Sequence, residues 1–172
     1  MNMNEKVSFN LGEVLFTKEE CEFIKKGIEN SPAGTSSDDM HRRYEEFLIL
    51  DDKILNLIFE KIEKFGVKKI KEGRILCYKK GCFFNMHTDA YVGKLHRYKT
   101  VLIQLSDEHE YEGGELIIEN KIMDKKIGTT VMIDATVLHG MKVLKNGVRF
   151  SFVIWLDRED MGLGKVETNK II

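Results

Sequence analysis

Between residues 69 and 157 the sequence consists of short apolar segments rich in β-branched residues, and glycine or Asn/Asp turns separate them. The segments read KIKEGRILCYKKG, KTVLIQLS, GGELIIEN, GTTVMID and VRFSFVIWL. Segments of this length, spacing and composition predict the strands of an antiparallel sandwich or barrel. A barrel of this kind buries one face of every strand. We therefore expect helices in the rest of the chain to pack on the outside of one sheet.

Two amphipathic helices are predicted ahead of these strands. A capping box, formed by Thr17 with Glu20, begins the first helix, and apolar residues at helical spacing extend it over residues 17–30. The second is predicted from about Asp52 to Phe65, where six apolar residues make one stripe. A stripe of this kind indicates packing against the protein core.

The segment between the two helices, residues 31–40, contains the only proline of the chain and many small polar residues. This composition predicts a loop. No linker or internal repeat divides the chain, and 172 residues suffice for one domain with a sizeable core. We therefore predict a single, mainly β (α+β) domain, with a helical part over residues 1–68 and a strand-rich core over residues 69–157.

The charge balance excludes several classes of partner. The chain has 27 basic and 28 acidic residues and a formal net charge of -1, so no global field selects nucleic acid. No apolar run approaches the roughly 20 residues that cross a bilayer, and the N-terminus lacks a signal sequence. The odd number of cysteines predicts reduced, buried thiols and a cytoplasmic location. These cysteines are Cys21, Cys77 and Cys82.

His87 and Asp89 form the strongest candidate for a metal site. Residues two apart on a strand point to the same side, so both side chains can face one ion. His139, which follows the strand-like TTVMID, is the best third ligand. Two histidines and one carboxylate form the facial triad of non-haem Fe(II) oxygenases, although a lone His-x-Asp is equally consistent with a surface polar pair.

Arg149 lies in the most apolar strand of the sequence. Alternation places it on one face with Ser151, Val153 and Trp155. A guanidinium in such a strand requires an anionic partner, which is either a buried carboxylate of the chain or the carboxylate of a ligand. The planar guanidinium suits a carboxylate, and the nearby Ser151 hydroxyl offers a further hydrogen bond.

Three motifs occur in fixed order: YKKGCFFNMHTD, LSDEHEYEGGELIIEN and VLHGMKVLKNGVRFSFVIW. Together they resemble the 2-oxoglutarate/Fe(II) dioxygenases of the prolyl-4-hydroxylase type, including the bacterial PKHD-type hydroxylases, over residues 74–156. The first is similar to the family's Tyr-x-x-Gly stretch that runs into His-x-Asp. The last is similar to its distal histidine followed by Arg-x-Ser. The fold that this resemblance implies is the double-stranded β-helix, a distorted jelly roll.

The resemblance also implies roles for individual residues. It makes His87, Asp89 and His139 the iron ligands and assigns the distal carboxylate of 2-oxoglutarate to Arg149. The other residues that it places around the co-substrate are Ser151, Tyr78 and Gln104. Two positions depart from the family pattern: Phe84 replaces a frequent tyrosine, and Val143 replaces a frequent proline.

The activity implied is hydroxylation of an unactivated C–H bond with release of succinate and CO2, dependent on Fe(II), 2-oxoglutarate and O2, with ascorbate as a candidate additional requirement. A peptidyl proline is the family's best-known substrate, and another protein residue, a free amino acid or a small metabolite is also consistent with the sequence. Candidate substrate contacts are Arg74, Arg97, Tyr98 and Trp155. The alternatives are a cupin-like metalloenzyme acting as a hydrolase or isomerase, and a non-catalytic ligand-sensing barrel.

Overall fold

The computed structural model describes residues 10–38 and 40–164. The described part is mainly β, with two α-helices, α1 (Lys18–Lys25) and α2 (Asp52–Ile62), each continued by a short 3-10 turn. The thirteen strands in the described residues are β1 (Asn10–Val14), β2 (Ala33–Ser37), β3 (Arg42–Ile49), β4 (Gly73–Tyr78), β5 (Phe83–His87), β6 (Arg97–Gln104), β7 (Tyr111–Gly113), β8 (Leu116–Ile118), β9 (Lys121–Ile122), β10 (Thr129–Asp134), β11 (His139–Met141), β12 (Leu144–Gly147) and β13 (Arg149–Asp157).

Most strands form one antiparallel sheet in the order β1-β10-β6-β13-β4-β3-β5-β11-β8-β9, with β2 beside β3. The sheet curls at β3, because this strand pairs with β4 along most of its length and with β5 at Arg42 and Arg43. Strands β7 and β12 form a separate pair. This curled sheet confirms the predicted jelly-roll class and brings β5 and β11 opposite β13 and β6.

Both helices pack on the outer face of the sheet, as predicted. Ile58 and Ile62 of α2 are fully buried in a core with Phe152 and Ile154 of β13. Asp51 caps this helix, accepting hydrogen bonds from the backbone N–H groups of the two residues that follow Asp52. Since β13 turns its even-numbered residues to the helices, its odd-numbered residues, including Arg149, face the inside of the curl.

The prediction of a loop over residues 31–40 is wrong, because β2 (Ala33–Ser37) pairs antiparallel with β3. The sequence AGTSS shows no alternation of apolar and polar residues. Strand β2 lies outside the main strand order and pairs with β3 through its backbone. The prediction of a helical part over residues 1–68 is also wrong here, because β2 lies within that part of the chain. Strands β1 and β3 also lie within it, and β3 shows buried residues at irregular spacing.

The first helix is shorter than the predicted 17–30, because α1 ends at Lys25 and a 3-10 turn follows. Its predicted capping box is present in full. All three cysteines are buried and unpaired, which confirms the prediction of reduced thiols. Among the residues that the structure describes, neither helix has the length and apolarity that a membrane crossing requires.

Candidate metal and co-substrate site

The structure brings His87, Asp89 and His139 together inside the curl. Strand β5 ends at His87, and His139 begins β11 directly opposite it in the strand register. A side chain at Gly140 would place its Cβ 2.8 Å from the backbone oxygen of Phe84, so glycine permits this close pairing. The Nε2 atom of His139 lies 3.3 Å from Asp89 Oδ2, and that of His87 lies 3.6 Å from Oδ1. One ligand atom from each residue lies within 4.8 Å of the other two.

Backbone hydrogen bonds orient both imidazoles. The Nδ1 atom of His87 lies 2.8 Å from the carbonyl oxygen of Asn85, and that of His139 lies 3.0 Å from the carbonyl of Val137. Because a carbonyl only accepts, each Nδ1 carries the proton and donates it. The lone pair therefore resides on each Nε2, where the two rings and the carboxylate converge. Phe84 stacks on the His87 ring with centroids 3.6 Å apart, so this departure from the family tyrosine packs against a ligand.

Asp89 is held as a carboxylate although it is buried. Burial acts to raise its pKa, but the neighbouring side chains of His139, His87 and Thr100 together lower the pKa well below its usual range. The Thr100 hydroxyl donates to Asp89 Oδ2 over 2.6 Å and fixes the orientation of the carboxylate. Sequence reasoning missed Thr100, although it lies on the same inward face of β6 as Gln104 and could have been found by alternation.

Thr100→Val should weaken binding of a divalent transition metal about 10- to 100-fold, because the change removes the hydrogen bond that orients a ligand while keeping its shape. Anaerobic titration with Co(II) measures the effect. Thr129→Val is the matched control, because the Thr129 hydroxyl is buried along the same cavity and has no hydrogen-bond partner among the described residues. Equal affinity of the two variants would show that Thr100 does not position Asp89.

The Arg149 side chain is buried at the other end of the same cavity. Its Nη1 lies 3.2 Å from the sulfur of Met141, and the Tyr111 hydroxyl is its other polar neighbour. Its Nε has no hydrogen-bond partner, and in the part of the chain that the structure describes no carboxylate lies within 4.0 Å of the guanidinium. The sequence left open whether a carboxylate of the chain balances this arginine, and the described residues contain none that does.

Neutral side chains surround this guanidinium. Tyr78 lies with its ring centroid 5.5 Å from Arg149 Cζ, and Ser151 is buried on the next inward position of β13. The Gln104 side-chain amide donates to the Tyr111 hydroxyl over 2.8 Å. Tyr111 was missed by sequence reasoning, since the acidic stretch before it gives no sign that this tyrosine points inward.

The candidate substrate contacts divide into two groups. Arg97 and Trp155 lie together beside Asp89, and Arg74 lines the adjoining groove. Tyr98 lies outside both cavities, with the guanidinium of Arg158 over its ring.

The donor set fits a divalent transition metal. Two neutral imidazoles with free Nε2 atoms and one carboxylate are the ligand types of a facial Fe(II) site. Arg149 contacts Met141, and Met141 lies two residues from His139 along β11. Two residues of an extended strand span about 7 Å, which is the separation between Met141 and His139. A five-carbon diacid can bridge that separation, so the residues present also fit 2-oxoglutarate.

Comparison with known proteins finds similarity to one family over the part of the chain that contains these residues. Residues 73–157 match the sequence model of the 2OG-Fe(II) oxygenase superfamily. A PKHD-type hydroxylase of Pseudomonas putida (strain W619) is 33% identical over 100 residues, which are 50% of this chain and 44% of that protein. A PKHD-type hydroxylase of Synechococcus sp. (strain JA-3-3Ab) is 29% identical over 126 residues, or 68% of this chain and 55% of that protein. The chain thus spans about half the length of these curated relatives.

A solved structure supports the fold assignment. The prolyl hydroxylase of Trichoplax adhaerens, in complex with a hypoxia inducible factor oxygen degradation domain peptide fragment, superposes with a TM-score of 0.71 at 15% identity. The superposition covers 93% of this chain and 88% of that one. At this identity the likeness is one of fold.

Proposed function

Because residues 73–157 match the sequence model of the 2OG-Fe(II) oxygenase superfamily, we propose that the protein is an Fe(II)- and 2-oxoglutarate-dependent dioxygenase. It hydroxylates an unactivated C–H bond and releases succinate and CO2. The observation that carries this proposal is the buried guanidinium of Arg149, which shares a cavity with the His-Asp-His cluster and has no carboxylate partner among the described residues. A buried cation of this kind is stabilised by an anionic ligand, and the distal carboxylate of 2-oxoglutarate is one.

His87, Asp89 and His139 hold the iron, which when bound supplies the O2 activation that protein side chains lack. Arg149 binds the far carboxylate of the co-substrate and thereby fixes its orientation. Tyr78, Ser151 and Gln104 line this end of the cavity. Two further groups assist without touching the metal. Thr100 keeps the Asp89 carboxylate turned toward the imidazoles, and apolar residues of the cavity wall exclude water: Leu76, Leu102 and Val153.

The substrate that we propose is a prolyl or other amino-acid residue. The structural neighbour from Trichoplax adhaerens is named a prolyl hydroxylase, and the sequence relatives are named PKHD-type hydroxylases. The name of the structural neighbour supports an amino-acid substrate over a sugar or a lipid. We place the entry of such a residue beside Trp155, because Trp155 lines both this cavity and a neighbouring groove.

Incubation of the protein with Fe(II), 2-oxoglutarate and short prolyl peptides in air should yield succinate in proportion to hydroxylated peptide. Mass spectrometry of the peptide and quantification of succinate measure both products. Chelated and oxygen-free reactions are the controls and should yield neither.

The two rival functions give different results in this experiment. A cupin-like hydrolase or isomerase would bind metal through the triad, but its reaction requires no co-substrate carboxylate at Arg149. Such an enzyme would therefore not bind 2-oxoglutarate. A sensing barrel would bind 2-oxoglutarate without consuming it. Failure to bind 2-oxoglutarate in the presence of metal would therefore overturn the proposal.

A further inference from the structure

Arg97 forms a second guanidinium site next to the metal cluster. It begins β6, and its side chain is only 15% exposed. Its Cζ lies 3.9 Å from the ring centroid of Trp155, which is within cation–π distance. Trp155 lines both the cavity of the metal cluster and the neighbouring groove that contains Arg97. The guanidinium is thus held in place at the boundary between the reacting centre and the open side.

The charge of Arg97 is poorly balanced within the chain. The only carboxylate within 4.0 Å of it, among the described residues, is Asp89, with Nη1 and Oδ1 4.0 Å apart. Its hydrogen bond to the Asp89 backbone oxygen is long at 3.5 Å. Arg74 in the same groove differs, because Glu46 and Glu72 lie 3.4 and 3.0 Å from it. Burial lowers the pKa of the Arg97 guanidinium, which reflects the cost of a cation without a close anion.

Loading of the site does not remove this imbalance, because the charges of a divalent metal and of dianionic 2-oxoglutarate would cancel. Asp89 then offsets Arg149, and Asp124 offsets Lys125, which lines the same cavity. Among the described residues Arg97 still has no carboxylate closer than Asp89 at 4.0 Å, and Lys94 in the same groove adds a further positive charge.

We propose that Arg97 selects substrates that carry a carboxylate close to the carbon that is hydroxylated. This inference rests on the proposed function and specifies its substrate class. The Trp155 ring lies against the Arg97 guanidinium, and a guanidinium can donate two parallel hydrogen bonds to a carboxylate. The carboxylate is either the α-carboxylate of a free or C-terminal residue or the side chain of a neighbouring Asp or Glu. The two sources share one chemistry and can be separated by experiment.

Trp155 is the only tryptophan of the chain, so its fluorescence reports on the Arg97 site. N-acetyl-L-proline and N-acetyl-L-proline amide differ only in the carboxylate, and acetyl-Pro-Asp-amide moves that group to a side chain. Each is titrated into the full chain, both without metal and with Zn(II) plus 2-oxoglutarate, which bind without turnover; calorimetry provides a second readout. We expect at least one carboxylate probe to bind about 10-fold more tightly than the amide, and the tighter probe identifies the source.

The variants separate recognition from structure. Arg97→Gln should reduce the preference for carboxylate over amide to about 1-fold, and Arg97→Lys should retain part of it. Lys94→Gln, which removes a positive charge from the same groove, should leave the preference unchanged. Equal binding of carboxylate and amide probes by the unaltered protein overturns the proposal. So does a preference that persists in Arg97→Gln or disappears in Arg149→Met instead. Because the readout is probe binding without turnover, these outcomes are independent of succinate formation.

Discussion

His139→Ala should lower the affinity for Fe(II) by more than about 100-fold and abolish hydroxylation. The change removes one of three ligands, and a lost ligand costs more than the 10- to 100-fold that lost supporting hydrogen bonds cost. His139 is 4% exposed, so water cannot readily replace the imidazole from bulk solvent. Anaerobic calorimetric titration with Fe(II) measures the affinity, and the succinate assay measures turnover.

His109→Ala is the matched control for this prediction, because the His109 side chain is 86% exposed and lies beside Glu108, away from the triad. It should keep both metal affinity and turnover. Circular dichroism of both variants checks that the sheet remains folded. Full iron affinity in a folded His139→Ala variant would contradict the assignment of this residue as a ligand.

The pairing of His87 with Asp89 was predictable from the two-residue period of a strand, although β5 ends at His87 and Asp89 lies in the bend that follows. His139 lies 52 positions from His87 in the chain. It was identified from the order of the motifs, because residue spacing alone does not indicate which distant histidine lies beside His87. Tyr111 could not be found, because its inward direction depends on the pairing of β7 with β12. That no carboxylate among the described residues lies within 4.0 Å of Arg149 is a property of the folded chain, and no sequence pattern expresses it.

Prediction of the fold succeeded where burial leaves a periodic pattern. The apolar stripe of α2 and the alternation in β13 arise because each element buries one apolar face in the same core. Ile58 of α2 and Phe152 of β13 both belong to that core. Prediction failed at β2, where polar residues form a strand through backbone pairing with β3 alone. The side chains of β2 that the structure describes are exposed and do not constrain its sequence, so composition indicates a loop.

Arg149→Met should raise the stability of the ligand-free protein while it destroys co-substrate binding. The wild-type guanidinium is buried and lacks a carboxylate partner among the described residues, so an apolar side chain of similar length removes a cost of burial. Replacement of buried charged groups by apolar ones stabilises some proteins by about 1–4 kcal/mol. Loss of one partner from a buried, hydrogen-bonded charge pair costs about 2–5 kcal/mol of binding, which weakens 2-oxoglutarate roughly 30- to 4,000-fold.

The opposite signs of these two effects distinguish a binding role for Arg149 from a structural one. Urea unfolding of the metal-free protein measures the first effect, and titration of the metal-loaded protein with 2-oxoglutarate measures the second. Arg74→Met is the control, because Arg74 is ion-paired with Glu46 and Glu72. It should not stabilise the protein and should leave 2-oxoglutarate affinity unchanged. A structural arginine would give the reverse, with Arg149→Met lowering the free energy of unfolding and leaving co-substrate affinity intact, because its removal would then break contacts of the folded chain.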